Sequence, residues 1–430
     1  MLTNYDQITT MGKKLSSEIL PKAAKEGKFG HEIEKFVEFK TDKDYDAPDH
    51  FSASIFFGDV ILETKNGHRK ALSVVVKAQA GGKLFEESDR YSFNIQLYNE
   101  VLFYSEILPL FRECDPSGFI SKIFPKCFYA YANESNPVED LLIFENVQKY
   151  GFRMSPWRAF NDYAHIELTV KWLGKFHAMS LKCKHKFPGR FNEIVAKFKE
   201  THWTEKRLQK PDAFFKENCK RGIVPLQNNP DYKDKLKDLL TVVEETDISM
   251  AKIVAPEEPL AVVCHGDFCR NNVFYKYDSN DKPLEVMFFD FATSRYSSPV
   301  IDLSFYLFMN SSPDFKADHW NDVLQTYHTA LTSNFDPGLP EPPSFENIQL
   351  DVQRRGFYGY TFAAFFLPAM FEDDWTKTEY REMTIPEIIE RQLTYGGEVG
   401  TEYVKQLVKF MIEHNFDFKY ILNLKLDAFK

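Results

Sequence analysis

Several things are missing from this 430-residue chain, and each absence narrows its function. Its six cysteines (Cys114, Cys127, Cys183, Cys219, Cys264 and Cys269) include no C-x-x-C pair. In a chain of this length that scatter excludes a disulfide framework and points to reduced thiols. A basic excess is missing too. The formal charge of −10 argues against nucleic acid as a partner, which would call for a basic face. The first twenty residues, MLTNYDQITTMGKKLSSEIL, hold no sustained apolar run of the kind a secretory leader needs. The longest membrane-like stretch, Tyr360–Phe371, is too short to cross a bilayer and contains Pro368. These features predict a cytoplasmic protein with no membrane span. No internal repeat is visible. No G-x-G-x-x-G precedes the Val-rich run 74-VVVKAQ-79, and no A-P-E segment follows the later motifs.

What is present is apolar mass: 43% hydrophobic residues, with Phe alone counted 41 times. A large core is therefore within reach and global disorder is excluded. Residues 1–50 carry many charges and one weakly amphipathic stretch, Met11–Lys25, which predicts an N-terminal helix and linker. From residue 51 the pattern becomes strand-like at Ser52–Glu63 and Ala71–Ala78. After a polar break at Gln79–Ser92, Leu97, Val101, Tyr104, Leu108 and Phe111 recur at helical steps. Phe128–Ala132 and Leu141–Glu145 read as two more strands. Beyond Gly151 helices dominate, with Ile166, Val170, Leu173 and Phe176 forming one stripe. Two short strands, Ala261–Cys264 and Glu285–Phe289, interrupt them. Helical patterns return at Ala317–Ser333, Ile348–Met370 and Thr401–His414, with 336-DPGLPEPPS-344 as a loop. The expectation is an α+β, bilobal fold: a small β-rich N-lobe at 51–147 and a larger, mainly helical C-lobe at 148–430.

The two short strands each end in a motif, 265-HGDFCRNN-272 and 286-VMFFDFATSRYSSPVIDL-303. Asp267 and Asn272 are five residues apart, the spacing of Asp and Asn in a kinase loop of the H-R-D-L-x-x-x-N type. Asp290, eighteen residues beyond Asn272, stands where the metal-holding Asp of D-F-G would be. Phosphoryl transfer needs these groups together: a carboxylate to take a hydroxyl proton, and an amide oxygen with a carboxylate to hold Mg2+ against phosphates. The chain reads as a small-molecule kinase using ATP and Mg2+. Val75 and Lys77 share one strand face, so Lys77 can reach phosphates if that face looks into the cleft. Glu100 is the acidic partner on the following helix, with Glu106 as a competitor. Ser52 and Ser54, in 51-FSASIFFG-58, are expected in a turn that caps phosphates. Glu145 and Val147, after the apolar strand 141-LLIFE-145, stand where a hinge would offer backbone groups to adenine. Asp302 fits either a helix N-cap or a brace for the 265–272 loop. His265 and His177 read as structural.

Together and in order, 141-LLIFENV-147, 172-WLGKFHAMS-180, 265-HGDFCRNN-272 and 288-FFDFATSRYSSPVIDLSFYLF-308 resemble the ecdysteroid kinase-like proteins. Those are related to choline kinases and aminoglycoside phosphotransferases. The resemblance covers roughly residues 45–415. It implies a protein-kinase-like fold and ATP- and Mg2+-dependent phosphorylation of a small-molecule hydroxyl. By position it makes Asp267 the catalytic carboxylate, Asn272 and Asp290 the metal ligands, and Lys77 with Glu100 the phosphate-positioning pair. Two departures stand out: Ala292 where the family usually has Gln, and no Trp near Cys269. The acceptor implied is a lipophilic alcohol such as an ecdysteroid or a detoxification metabolite. A choline-type acceptor would need an aromatic, acidic cage, for which 371-FEDDWTKTEY-380 has the composition. A kinase-shaped binding protein without turnover is the alternative from another class.

Overall fold

The computed structural model describes residues 11–42, 53–79, 93–211, 213–333, 341–372 and 383–426. A five-stranded antiparallel sheet, in the order β1-β2-β3-β5-β4, forms the smaller part of the molecule. Its strands are β1 (Ile33–Thr41), β2 (Ala53–Thr64), β3 (Arg69–Gln79), β4 (Cys127–Tyr131) and β5 (Leu141–Glu145). Alternation gives the sheet two different faces. Phe56, Val60, Val74, Val76 and Ile143 point to one side and pack with Leu15, Leu20 and Ala23 from the N-terminal helical segment. That segment ends in α1 (Leu20–Lys25). Val75, Lys77, Leu142 and Phe144 point to the other side, toward the rest of the molecule.

Residues 1–50 are thus more than a helix and linker, because β1 pairs with β2 along its length. The sequence hid this strand. Glu34, Lys35 and Lys40 are exposed, and two register shifts interrupt the pairing. Charges and bulges of this kind are how an edge strand avoids unwanted pairing, and they erase the period-two signal.

The helix predicted around Leu97–Phe111 is α2 (Phe93–Leu102) followed by a π-turn and α3 (Leu108–Cys114). All five stripe residues are buried. Pro109 offers no N–H to the turn before it, and the wider π-turn absorbs that defect. Beyond β5 the chain becomes helical. α4 (Tyr163–Lys186) is the central helix, and its stripe of Ile166, Val170, Leu173 and Phe176 is fully buried. Helices α5–α9 occupy Pro188–Val254, with α5 (Pro188–Val195) and α6 (Glu205–Gln209) first among them. After the motifs come α10 (Val300–Asn310), α11 (Pro313–Thr332), α12 (Phe345–Arg355) and α13 (Phe357–Ala369). The single helix expected over Ile348–Met370 is therefore two. They meet at Gly356, where a Cβ would lie 2.6 Å from the Phe416 ring.

Small strands carry the motifs. β7 (Val262–Cys264) pairs with β10 (Arg295–Ser297), and β8 (Val273–Tyr277) pairs with β9 (Pro283–Phe288) and the short β6 (Arg153–Met154). Only β7 and β9 were expected; β6 and β10 are two and three residues long, and β8 was not read from its sequence. Among the described residues no helix is long and apolar enough to cross a membrane; Tyr360–Phe371 lies mostly inside α13, largely buried. Most of the loop at 336–344 and the segment 373–380 lie outside the described residues.

Candidate active site

The hairpin of β8 and β9 brings together the two motifs, whose Asn272 and Asp290 are eighteen residues apart in the chain. Val273 pairs with Phe288, so Asn272 and Phe289 are opposed, and the Phe289 N–H donates to the Asn272 carbonyl at 3.0 Å. Asp290 follows at once, in the left-handed backbone region at φ 62°, an uncommon conformation for a residue with a Cβ. Next to it Phe291 is fully buried, stacked on Phe103 at 3.8 Å and 4.5 Å from the His265 ring. That ring anchors the strained residue before it.

On the other side β7 delivers His265, Gly266 and Asp267. Gly266 has φ +88°, and a Cβ there would lie 2.1 Å from the Thr293 carbonyl oxygen, so only glycine fits. Asn272 turns its amide nitrogen to Asp267, donating to the backbone oxygen at 2.8 Å and to Oδ2 at 3.1 Å. His265 is structural, as expected: Nε2 donates to the Phe289 carbonyl at 2.5 Å, and Nδ1 accepts from the Asp267 N–H at 3.3 Å. Those two bonds fix one neutral tautomer, and burial lowers its pKa.

Lys77 is buried on the sheet face turned toward the rest of the molecule. Its Nζ lies 2.5 Å from Glu100 Oε2 and 2.7 Å from Asp290 Oδ1, and the side chain is 7% exposed. Glu100 uses its second oxygen to accept from the Phe291 N–H at 3.3 Å. The competitor Glu106 pairs instead with Lys197 near the surface at 2.5 Å. Burial lowers the Lys77 pKa, but the charges of Asp290 and Glu100 outweigh it and keep the ammonium protonated. Burial pushes the Glu100 carboxyl up to about 7, with Lys77 pulling it back. Burial and the nearby Asp290 charge push Asp267 up to about 7 as well. Glu100 and Asp290 thus share one ammonium, and Asp267 lies close enough to Asp290 to feel its charge, so the site is rich in oxygen donors. Such a set suits a hard divalent cation.

Asp302 is a brace, not an N-cap. Pro299 is the N-cap of α10. The carboxylate is fully buried and accepts from the His265 N–H at 2.7 Å, the Gly266 N–H at 2.8 Å and His177 Nε2 at 3.0 Å. Burial would raise its pKa, but these bonds hold it below the usual carboxylate value. His177 in turn meets the Tyr327 hydroxyl at 2.7 Å, and the Tyr358 hydroxyl donates to the Gly266 carbonyl at 2.7 Å. Sequence reasoning found Asp302 and His177 but missed Tyr358, which sat inside an aromatic run.

Two expectations need correction or fall away. Ser54 is in β2, not a turn. It pairs with Ala78, on the face opposite Lys77, because adjacent strand residues point to opposite sides. Ser52 lies outside the described residues. Glu145 ends β5, its Oε1 accepting from the Lys126 N–H at 2.8 Å. Val147 begins a 3-10 turn, Val147–Tyr150, whose first N–H has no partner within the turn. A cavity of about 340 Å³ opens there, lined by Phe57, Ser73, Asn146, Gln148 and Lys149 among others.

The sequence model of the ecdysteroid kinase-like family matches residues 48–336. Among solved structures, an ethanolamine kinase from Plasmodium vivax aligns at 13% identity and TM-score 0.36, over 87% of this chain and 83% of that one. A microcompartment-associated aminopropanol kinase aligns at 10% identity and TM-score 0.40, over 85% and 94%. An ADP-bound aminoglycoside phosphotransferase aligns at 14% identity and TM-score 0.35, over 89% and 96%. A search of curated proteins gave no match.

Proposed function

The chain belongs to the ecdysteroid kinase-like family, and from that premise we propose that it transfers a phosphoryl group from ATP to the hydroxyl of a lipophilic small molecule. One observation carries the reading: Lys77, from the sheet, is ion-paired with both Glu100 and Asp290, while Asn272 links Asp267 to the same hairpin. In this reading the Glu145–Val147 segment is the hinge between the lobes. Its backbone takes the adenine, beside the cavity at Asn146. Lys77 holds the donor phosphates and Glu100 keeps the ammonium in place.

Asn272 and Asp290 are the residues that would hold Mg2+. The amide nitrogen of Asn272 is committed to Asp267, which leaves its oxygen for a cation. Bound there, Mg2+ supplies charge neutralisation between the donor phosphates. Asp267 orients the acceptor hydroxyl and accepts its proton as the oxygen–phosphorus bond forms. Gly266, clamped through its N–H by Asp302 and through its carbonyl by Tyr358, keeps that carboxylate fixed. Positioning of this kind supplies most of the barrier reduction in phosphoryl transfer.

Family membership supports a lipophilic acceptor. The test is incubation with ATP, Mg2+ and a panel of steroid and other lipophilic alcohols, followed by mass spectrometry for phosphate esters. The expected result is a phosphorylated alcohol whose formation falls by roughly 10²–10⁴ in Asp267→Asn. Unchanged transfer in that variant would remove Asp267 from the reaction. No ester from the wild type across the panel would refute the reading.

A further inference from the structure

We infer that Asn99 is a positioning residue, whose side chain clasps the backbone of a C-lobe loop and so seats the helix that carries Glu100. The inference rests on the phosphotransferase reading above. Asn99 is fully buried, one residue before Glu100 on α2. Its amide acts like an extra peptide unit. Oδ1 accepts from the Lys199 N–H at 3.1 Å, and Nδ2 donates to the Lys199 carbonyl at 2.8 Å. The same nitrogen lies 3.5 Å from the Ser294 carbonyl, four residues beyond Asp290. One side chain therefore ties together the Glu100 helix, the loop between α5 and α6, and the segment bearing Asp290.

The loop is built to present Lys199. Glu200 Oε1 accepts from the backbone N–H groups of His202 at 2.8 Å and Trp203 at 3.1 Å. The same oxygen faces Arg295 at 3.4 Å. Around the buried amide runs an outer ring of contacts. Lys199 Nζ meets Glu134 at 2.6 Å and sits 4.4 Å from the Tyr98 ring centroid, and Lys197 meets Glu106. Exposed pairs of that kind contribute little individually. The buried amide has a fixed direction and two backbone partners, so it sets where α2 sits. Successive helix residues point about 100° apart. Asn99 can therefore grip the loop while Glu100 faces Lys77, and a slip of the helix would break both at once. The clasp makes the Lys77–Glu100 pair a property of the protein before any nucleotide arrives.

The test compares wild type, Asn99→Leu, Asn99→Asp, Glu100→Ala and the two corresponding double variants. Two readouts are taken: Mg·ATP affinity by calorimetry and hydrogen exchange over residues 93–102. Asn99→Leu should raise exchange in that helix and weaken Mg·ATP, each roughly tenfold, with the global melting transition kept. Asn99→Asp, which keeps the acceptor for the Lys199 N–H, should fall between. In the Glu100→Ala background neither substitution should weaken binding further, because its effect runs through Glu100. Wild-type exchange and affinity in Asn99→Leu would overturn the inference, as would full additivity in the double variant. If Asn99→Leu does not fold, Asn99→Asp and its double variant decide by the same criteria. If the wild type itself binds no Mg·ATP, the phosphotransferase reading fails, and the exchange comparison still decides the clasp.

Discussion

Removing the Asp302 carboxylate tests how the 265–272 loop is held. Asp302 is buried and receives three N–H donors, two from the backbone of His265 and Gly266 and one from His177. A hydrogen bond to a charged acceptor contributes about 1.5–3 kcal/mol, and an orphaned buried donor costs about 1–3 kcal/mol. The three bonds share one loop, so their losses do not simply add. Asp302→Ala should cost about 3–5 kcal/mol, since three buried donors lose one charged acceptor and their losses overlap. Asp302→Asn keeps the shape and one acceptor but turns an amide N–H toward a donor, so about half that loss is expected. Gly266 moves in both variants and Asp267 moves with it. Phosphoryl transfer should therefore fall by about 10²-fold or more, the effect of a misplacement near 1 Å. The assay is urea unfolding of both variants beside transfer rates measured well below the unfolding transition. An N-cap role would cost about 1 kcal/mol with turnover intact. That outcome in both variants would refute the brace.

Gly266→Ala should leave a folded protein with transfer reduced by at least ~10², because positive φ alone costs about 1–2 kcal/mol in a residue with a Cβ and the loop must shift to clear Thr293. Circular dichroism with the transfer assay checks this, and near-wild-type turnover would contradict it. Lys316 is 3% exposed, and burial draws its pKa from 10.5 down to about 7. Between those values the unfolded chain holds a proton that the folded chain lacks. The Lys316 contribution to stability therefore rises with pH at about 1.4 kcal/mol per unit. Lys316→Met should stabilise the protein most near pH 7, with the advantage over wild type shrinking toward pH 10. Paired unfolding curves across that range would show it, and a pH-independent difference would rule it out.

The sequence disclosed which polar residues the fold brings together better than it disclosed the scaffold, for a physical reason. Asp267 and Asp290 follow short apolar strands, Asn272 immediately precedes another, and the β8–β9 pairing closes the eighteen residues between Asn272 and Asp290. Lys77 was legible because Val75 and Lys77 share a face, and the structure turns that face inward. Glu100 was chosen over Glu106 because it stands between Leu97 and Tyr104 on the apolar side of its helix, and Lys77 does pair with Glu100 while Glu106 pairs with Lys197. β1 was hidden by the charges of an edge strand. Ser54, expected in a turn, lies inside β2 and pairs with Ala78, which points it away from Lys77. Tyr358 and Asn99 left no local signal. Their partners are 92 and 100 residues away, a distance at which a single sequence carries no pairing information.

The central claim is that Asn272 and Asp290 make nucleotide binding depend on a divalent cation. The most direct measurement is calorimetric titration of ATP into the wild type and into Asp290→Asn, each with and without Mg2+. The account predicts one ATP bound per wild-type chain, with affinity that rises sharply when Mg2+ is added and a rise that disappears in Asp290→Asn. Equal affinity with and without the cation in the wild type, or no binding at all, would contradict it.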